Sequence, residues 1–206
     1  MNTEKDEKLK KFVHEKMKEG LINIGRDLVK SGGIEALSAR KLAQKANSSV
    51  GMIYNIFGTM DAYIAMQNTI TLQEVYQQLA KINIGNNPFN NLNRYADVLS
   101  SYILANQNLW SLLYNRHLTK GSGKSSLAES RVIKKIDLLI CMQAAILIGN
   151  ISAKEKRIMI KVLEMSLFAL SGYLLGNKLQ EKSDLNKKNL CKLLMNTYVA
   201  GLYSLR

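Results

Sequence analysis

Residues 37–57, LSARKLAQKANSSVGMIYNIF, decide the fold that this sequence predicts. They indicate two short helices joined by a tight turn. Ser38 and Ser49 are preferred N-cap residues, and one of them precedes each helix. Asn47 lies where the chain must turn, and asparagine tolerates the left-handed backbone that a tight turn needs. The stretch over about residues 38–57 is therefore predicted to be a helix-turn-helix unit.

The second helix of this unit has one apolar side and one small or polar side. Ile53 and Phe57 lie one turn apart and are expected to point into the core. The opposite side carries Val50, Gly51, Tyr54 and Asn55. A helix whose outward side is small and polar suits entry into the DNA major groove. An ordinary helical hairpin shares this pattern and remains open at this point.

The net charge is consistent with a nucleic-acid partner but does not locate it. The chain has 206 residues and a formal net charge of +13, from 29 Lys or Arg and 16 Asp or Glu. Such a charge favours acidic partners, with nucleic acid the first candidate. Residues 1–64, however, hold eleven Lys or Arg and eight Asp or Glu, so most of the excess lies further along the chain.

Composition predicts an all-α protein. The chain has a single proline, Pro88, and few alternating β-branched runs. We expect about nine helices, including a first helix over about residues 4–31 and a long helix over about residues 60–82. Because residues 1–60 are too few for a strong core of their own, they are expected to pack against that long helix. The first helix carries an apolar stripe of Leu9, Phe12, Val13, Met17, Leu21, Ile24 and Leu28.

The sequence indicates a cytoplasmic protein without a membrane partner. Cys141 and Cys191 lie in apolar helical surroundings, which favours buried thiols in a reducing compartment over a disulfide. The N-terminal stretch is charged and lacks the apolar region of a signal peptide. The longest apolar runs, near residues 138–148 and 165–175, are shorter than the roughly 20 residues that span a bilayer.

Enzymatic activity is not expected. The two histidines, His14 and His117, lie far apart in the sequence. Metal-ligand spacings such as His-Glu-x-x-His or Cys-x-x-Cys do not occur. We therefore predict no catalytic residue, no metal site and no cofactor.

A further set of residues carries a resemblance to a known family. The matching positions are Gly33, Leu37, Ser38, Ala39, Arg40, Leu42, Ala43, Ala46, Ser49, Gly51, Ile53, Tyr54, Phe57, Asp61 and Ala62. Over about residues 13–80 the chain resembles the TetR family of bacterial transcription regulators. The resemblance implies a homodimer with a three-helix DNA-binding domain at residues 1–59 and a larger helical effector-binding and dimerisation domain at residues 60–206. It further implies a repressor that a small-molecule effector releases from a palindromic operator.

Four positions depart from the family pattern. Asn47 replaces the usual turn glycine, Ser48 replaces an apolar residue, and Ile56 replaces an aromatic residue or histidine. Met60 stands where a phosphate-contacting lysine is usual. The absence of that lysine should reduce the slope of log affinity against log salt concentration by about one unit per subunit. The alternative function is therefore a helical adaptor whose degenerate helix-turn-helix no longer reads specific DNA.

Eight residues are predicted to contact double-stranded DNA. Tyr54 is expected to donate its hydroxyl hydrogen to a phosphate oxygen, and Arg40 and Thr59 are expected to contact phosphate as well. Asn55 can pair with adenine, Val50 can contact a thymine methyl group, and Gly51 permits close backbone approach. The full predicted set is Ser38, Arg40, Ser49, Val50, Gly51, Tyr54, Asn55 and Thr59.

An effector pocket is predicted in the second domain. Such pockets are mainly apolar and aromatic, with a few polar groups. The predicted lining is Tyr102, Trp110, Tyr114, His117, Met142 and Gln143. Because Trp110 and Tyr114 are four residues apart, they share one helical face. An aromatic stripe at this spacing also occurs in plain core, and that alternative stays open.

The last two helices are predicted to form the dimer interface. Small residues on one side allow close helix approach, and leucines add apolar area. The predicted interface is Leu163, Ser166, Leu167, Ala169, Leu170, Gly172, Leu174, Gly176, Leu190, Leu194, Tyr198 and Leu202. A dimer is favoured because one short recognition helix reads too few bases, whereas two read a palindrome. Internal packing within one chain is the alternative.

Overall fold

The computed structural model of the chain describes residues 3–120, 126–148, 152–176 and 187–204. Within these ranges the chain forms helices and their connections without any strand, so the predicted all-α fold with nine helices is confirmed there. The helices are α1 (Thr3–Gly32), α2 (Ala39–Lys45), α3 (Val50–Phe57), α4 (Met60–Ala80), α5 (Pro88–Ala105), α6 (Gln107–Lys120), α7 (Leu127–Ile148), α8 (Ala153–Leu175) and α9 (Lys187–Ser204). A single 3-10 turn, Ile34–Ala36, follows α1.

Helices α1, α2 and α3 form the head, a small N-terminal unit with its own core. Leu42, Ile53 and Phe57 are buried in it, together with Tyr63 from the first turn of α4. The rings of Phe57 and Tyr63 meet edge to face with their centroids 4.7 Å apart. Because Tyr63 is fully buried, the head needs α4 to complete its core, as expected for so short a segment.

The second half of α1 packs against the rest of the molecule, whereas residues 6–17 in its first half are exposed. Leu21 and Val29 are buried, and this half contacts α2, α6 and the 3-10 turn. The first half carries four large apolar side chains that are 42–61% exposed: Leu9, Phe12, Val13 and Met17. The apolar stripe predicted along the whole helix is therefore covered only in its C-terminal part.

Helices α4 to α9 form the body, which holds the larger core. The closest packing is of α4 on α7 and of α5 on α9 and α7. Leu92, Ile103 and Leu163 are among its fully buried side chains. Both cysteines are free thiols, Cys191 buried and Cys141 half-buried.

Candidate nucleic-acid interface and effector site

The helix-turn-helix unit has the caps and the turn that its sequence predicts. The Ser38 hydroxyl oxygen accepts a hydrogen bond from the Lys41 backbone N–H, and the Ser49 oxygen accepts one from the Met52 N–H, both at 3.2 Å. Asn47 has a φ of 48°, which is the left-handed conformation expected of it. These local interactions fix where α2 ends and where α3 begins.

Helix α3 presents to solvent the side that the sequence predicts. Ile53 and Phe57 are only 1% and 7% exposed, because they fill the core of the head. The exposed side consists of Val50, Gly51, Tyr54 and Asn55. This side carries no charged residue, so it can offer neutral hydrogen bonds, methyl contacts and close backbone approach to a base edge.

The other predicted DNA contacts flank α3. Arg40 is exposed in the first turn of α2, and Thr59 caps α4 by accepting a backbone N–H bond of 3.0 Å. Because the Ser38, Ser49 and Thr59 hydroxyl oxygens act as acceptors in their caps, each keeps its own hydrogen to donate. Ser49 and Thr59 lie next to the two ends of α3 in the chain, and the exposed Tyr54 hydroxyl is a further donor on the helix itself. Hydroxyl donors suit contacts to phosphate oxygens.

Two of the predicted pocket residues, Tyr102 and Trp110, are buried together between α5 and α6. Their rings meet edge to face with centroids 6.4 Å apart. The Tyr102 hydroxyl donates a hydrogen bond of 2.5 Å to the Glu74 carboxylate. Burial, together with that carboxylate, raises the pKa of Tyr102 far above its ordinary value, so the hydroxyl keeps its proton. The Trp110 indole N–H is buried without a hydrogen-bond partner.

Tyr114 and His117 belong to a different place, the contact of α6 with α8. Tyr114 stacks on Phe168 with ring centroids 4.8 Å apart, and the His117 ring meets the same phenylalanine edge-on at 6.2 Å. Burial lowers the pKa of His117 below its ordinary value, which favours the neutral ring. A Cβ on Gly172 would overlap the Tyr114 hydroxyl, so this glycine lets the two helices approach closely.

Met142 and Gln143 point away from each other on α7. Met142 is 56% exposed on the outer side of the body. Gln143 is buried, and its side-chain oxygen accepts a 2.9 Å hydrogen bond from the Asn91 amide. The six residues predicted to line one pocket therefore occupy separate places, because α6 and α7 each pack in more than one direction.

A small cavity lies elsewhere in the body, among five helices. Its lining is Leu79, Leu92, Tyr95, Ala96, Leu99, Ile136, Ile140, Leu167 and Met195. Its volume is about 20 Å³, which is room for about one water molecule. Tyr95 is 3% exposed, its hydroxyl has no hydrogen-bond partner, and burial raises its pKa. Sequence reasoning missed this tyrosine because nothing in its local pattern separates it from ordinary core.

The predicted dimer interface needs correction at four residues of α8. Leu163 and Leu174 are fully buried in the body, and Leu167 is only 8% exposed, so these leucines do not reach the surface. Gly172 lies beneath the Tyr114 ring. The small and leucine-rich side of α8 serves packing within the subunit at these positions.

The remaining predicted interface residues are less enclosed. Ala169 and Gly176 are exposed. Half-buried positions are Ser166, Leu170, Leu190, Leu194 and Tyr198. Leu202 belongs to α9, but its side chain lies outside the described part of the structure. The interface itself stays a prediction.

The outer surface of α7 and α8 carries large apolar side chains, of which the sequence analysis had singled out only Met142, and that one for the effector pocket. They are 40–64% exposed: Leu138, Met142, Ile146, Ile158, Val162, Met165, Phe168 and Tyr173. In its most apolar stretch α8 has a mean hydropathy of 1.7, and 17% of that stretch is buried. By length and composition alone this 23-residue helix could cross a membrane, which the count of uninterrupted apolar runs missed. One such helix is weak evidence for a membrane span.

No potential metal site occurs in the part of the chain that the structure describes. There, no three His, Cys, Asp or Glu side chains come together in a way that could hold a metal ion.

The architecture is that of the TetR-family transcription regulators, although the sequence matches no family model and no curated protein. A TetR-family regulator from Streptomyces coelicolor has a TM-score of 0.68 and 13% identity, over 93% of this chain and 82% of that one. A transcriptional regulator from Rhodococcus sp. RHA1 has a TM-score of 0.62 and 19% identity, over 89% and 96%. The FadR repressor from Thermus thermophilus, solved with lauroyl-CoA, has a TM-score of 0.60 and 14% identity, over 90% and 92%. These likenesses confirm the predicted fold.

Proposed function

We propose that this chain is a cytoplasmic TetR-family regulator, acting as a homodimeric repressor that a small-molecule effector releases from a palindromic operator. The observation that carries the proposal is α3, whose exposed side carries no charge and which has the capping hydroxyls of Ser49 and Thr59 next to its two ends in the chain. A helix with this surface fits the major groove, where the pattern of donors, acceptors and methyl groups differs for each base pair. The fold adds support, since a TetR-family transcriptional regulator from Streptomyces coelicolor shares it.

Each exposed residue of α3 has a role in this proposal. Asn55 reads an adenine through its amide, and Val50 contacts a thymine methyl group. Gly51 lets the helix backbone approach the base edges closely. Tyr54, Arg40 and the hydroxyl groups of the caps hold the head on the phosphates without reading sequence.

The outer surface of α7 and α8 is proposed as the dimer interface. Eight large apolar side chains of α7 and α8 are 40–64% exposed, and association would remove those that it covers from water. Ala169, which is exposed on α8, keeps its predicted place at this interface. Two chains joined by a two-fold axis would present two copies of α3 to the two halves of a palindrome.

The effector is proposed to be a mainly apolar molecule with one hydrogen-bond acceptor. The cavity is lined by apolar side chains, and the unpartnered Tyr95 hydroxyl is the donor that such an acceptor would meet. FadR, one of the similar structures, holds lauroyl-CoA. Because the cavity has room for about one water molecule, an effector must displace flexible side chains such as Met195. Leu79, at the end of α4, would carry that displacement toward the head.

The test is a titration against DNA from upstream of the gene and against scrambled DNA of the same length. The wild-type protein should prefer one palindromic site by a factor on the order of 10³ at moderate salt. Asn55→Ala should lose most of that preference, whereas the matched control Asn90→Ala, an exposed asparagine of α5, should keep it. Equal and steeply salt-dependent binding to both DNAs would overturn the proposal and favour the adaptor function.

A further inference from the structure

Three polar side chains from three helices meet where the head joins the body. Arg26 of α1 donates a hydrogen bond of 2.6 Å to a carboxylate oxygen of Glu74 on α4. The Tyr102 hydroxyl of α5 donates to the same oxygen at 2.5 Å. The Arg26 side chain is 7% exposed and that of Glu74 39%. One carboxylate oxygen thus ties the head to two helices of the body.

The Arg26 guanidinium makes further bonds along α4. It donates to the Thr71 hydroxyl at 3.1 Å and to the Gln67 carbonyl at 3.4 Å. A buried guanidinium is expensive to leave unpaired, so its position is strongly held. The sequence analysis overlooked Arg26, which stands between Gly25 and Asp27 and has no local feature that marks it as buried.

The same face of α4 bonds to α1 again nearer the head. The Gln67 amide donates to the Ile22 carbonyl at 2.8 Å, and the Tyr63 hydroxyl donates to the Leu21 carbonyl at 2.8 Å. Gly25 leaves room for this contact, because a Cβ there would overlap the Tyr63 hydroxyl. A slide of α1 by one helical turn, about 5.4 Å, would break every one of these bonds.

We propose that Arg26, Glu74 and Tyr102 are positioning residues for DNA recognition, which set the orientation of the head relative to the body. The inference rests on the proposed function and adds to it the residues through which the body controls the head. Tyr102 acts through Glu74 and Arg26. It lies one turn beyond Leu99, which lines the cavity, so α5 joins the cavity wall to this carboxylate.

Operator binding and non-specific binding depend differently on that orientation. A palindrome requires both heads in one geometry, so apparent affinity falls with the fraction of molecules that hold it. Contacts to phosphates alone tolerate a wider range of head positions. Loss of a positioning residue should therefore weaken operator binding selectively.

The test is Tyr102→Phe, which removes one hydroxyl and keeps the ring beside Trp110. The dissociation constant for the operator should rise about tenfold, since a hydrogen bond to a charged group is lost. The affinity for scrambled DNA and the slope of affinity against salt should stay unchanged. Glu74→Gln, which removes the charge, should act in the same direction. Tyr76→Phe is the matched control on α4 and should bind the operator as the wild type does.

The outcomes separate this inference from the proposed function. If the wild-type protein does not discriminate between operator and scrambled DNA, the proposed function fails. If it discriminates and both variants bind the operator with wild-type affinity, the positioning role is overturned while the proposed function stands. A parallel loss on both DNAs, accompanied by a lower melting temperature, would show a merely structural role and would also overturn the inference.

Discussion

Replacing two exposed apolar residues of α8 with lysine should dissociate the proposed dimer. Val162 and Met165 are 50% and 64% exposed in the subunit. Full burial of such a side chain contributes roughly 1.5–3 kcal/mol, so burying the exposed half contributes about 1 kcal/mol per residue. Two residues on each of two subunits then contribute about 4 kcal/mol. The lysine charges add a desolvation penalty in the same direction.

A loss of about 4 kcal/mol corresponds to roughly a 10³-fold rise in the dimer dissociation constant. Sedimentation equilibrium of the double variant Val162→Lys, Met165→Lys over a wide concentration range would measure it directly. Ile84→Lys is the matched control, because Ile84 is also 50% exposed but lies in the α4–α5 loop. A double variant that stays dimeric at the lowest concentrations of the wild type would refute the assignment of this surface.

Two further predictions concern stability. Asn47→Ala should lower the free energy of unfolding by about 1 kcal/mol, because alanine is strained at a φ of 48° whereas Asn47→Gly is not; equal melting temperatures for the two variants would contradict this. Burial and the nearby Glu164 raise the pKa of Asp137 from 3.8 to about 6, against the opposing effect of Lys161. The folded state therefore holds this proton more tightly than the unfolded state, and the contribution of Asp137 to stability falls as the pH rises from about 4 to 6. Thermal unfolding between these pH values should show that fall in the wild type relative to Asp137→Asn, and identical profiles would argue against it.

The head could be read from the sequence because its structure is determined locally. Ser38, Asn47 and Ser49 act through bonds to residues within one helical turn, and each does what its side chain favours in isolation. Periodicity then assigned Ile53 and Phe57 to the inside, since α3 has only one apolar side. Here local pattern and tertiary packing agree.

The body was harder to predict because its helices are apolar on more than one side. In α8, Leu163 faces the core, whereas the preceding residue, Val162, faces outward. Both sides are apolar, so periodicity alone does not say which side packs against the other helices of the body. Gly172, read as part of an interface, makes room for the Tyr114 ring on a helix more than 50 positions away in sequence. Contacts of this kind depend on packing between distant segments.

The six residues predicted to line one pocket lie apart for a related reason. Trp110 and Tyr114 do share a helix, but Trp110 packs on Tyr102 and Tyr114 packs on Phe168. Their spacing of four residues places them one turn apart on α6, where Trp110 contacts α5 and Tyr114 contacts α8. Tyr95, which lines the cavity, differs from ordinary core only in its unpartnered hydroxyl, and a sequence does not reveal hydrogen-bond partners.

The most direct test of base reading by α3 is a double-mutant cycle between Asn55 and the base that it is proposed to contact. Operator affinity would be measured for the wild type and Asn55→Ala, each on the native operator and on one with a single symmetric base-pair change. At one position the two changes should be coupled by about 1–3 kcal/mol, and that position should be an adenine. Strictly additive effects at every position of the operator would contradict the claim that this helix reads the sequence.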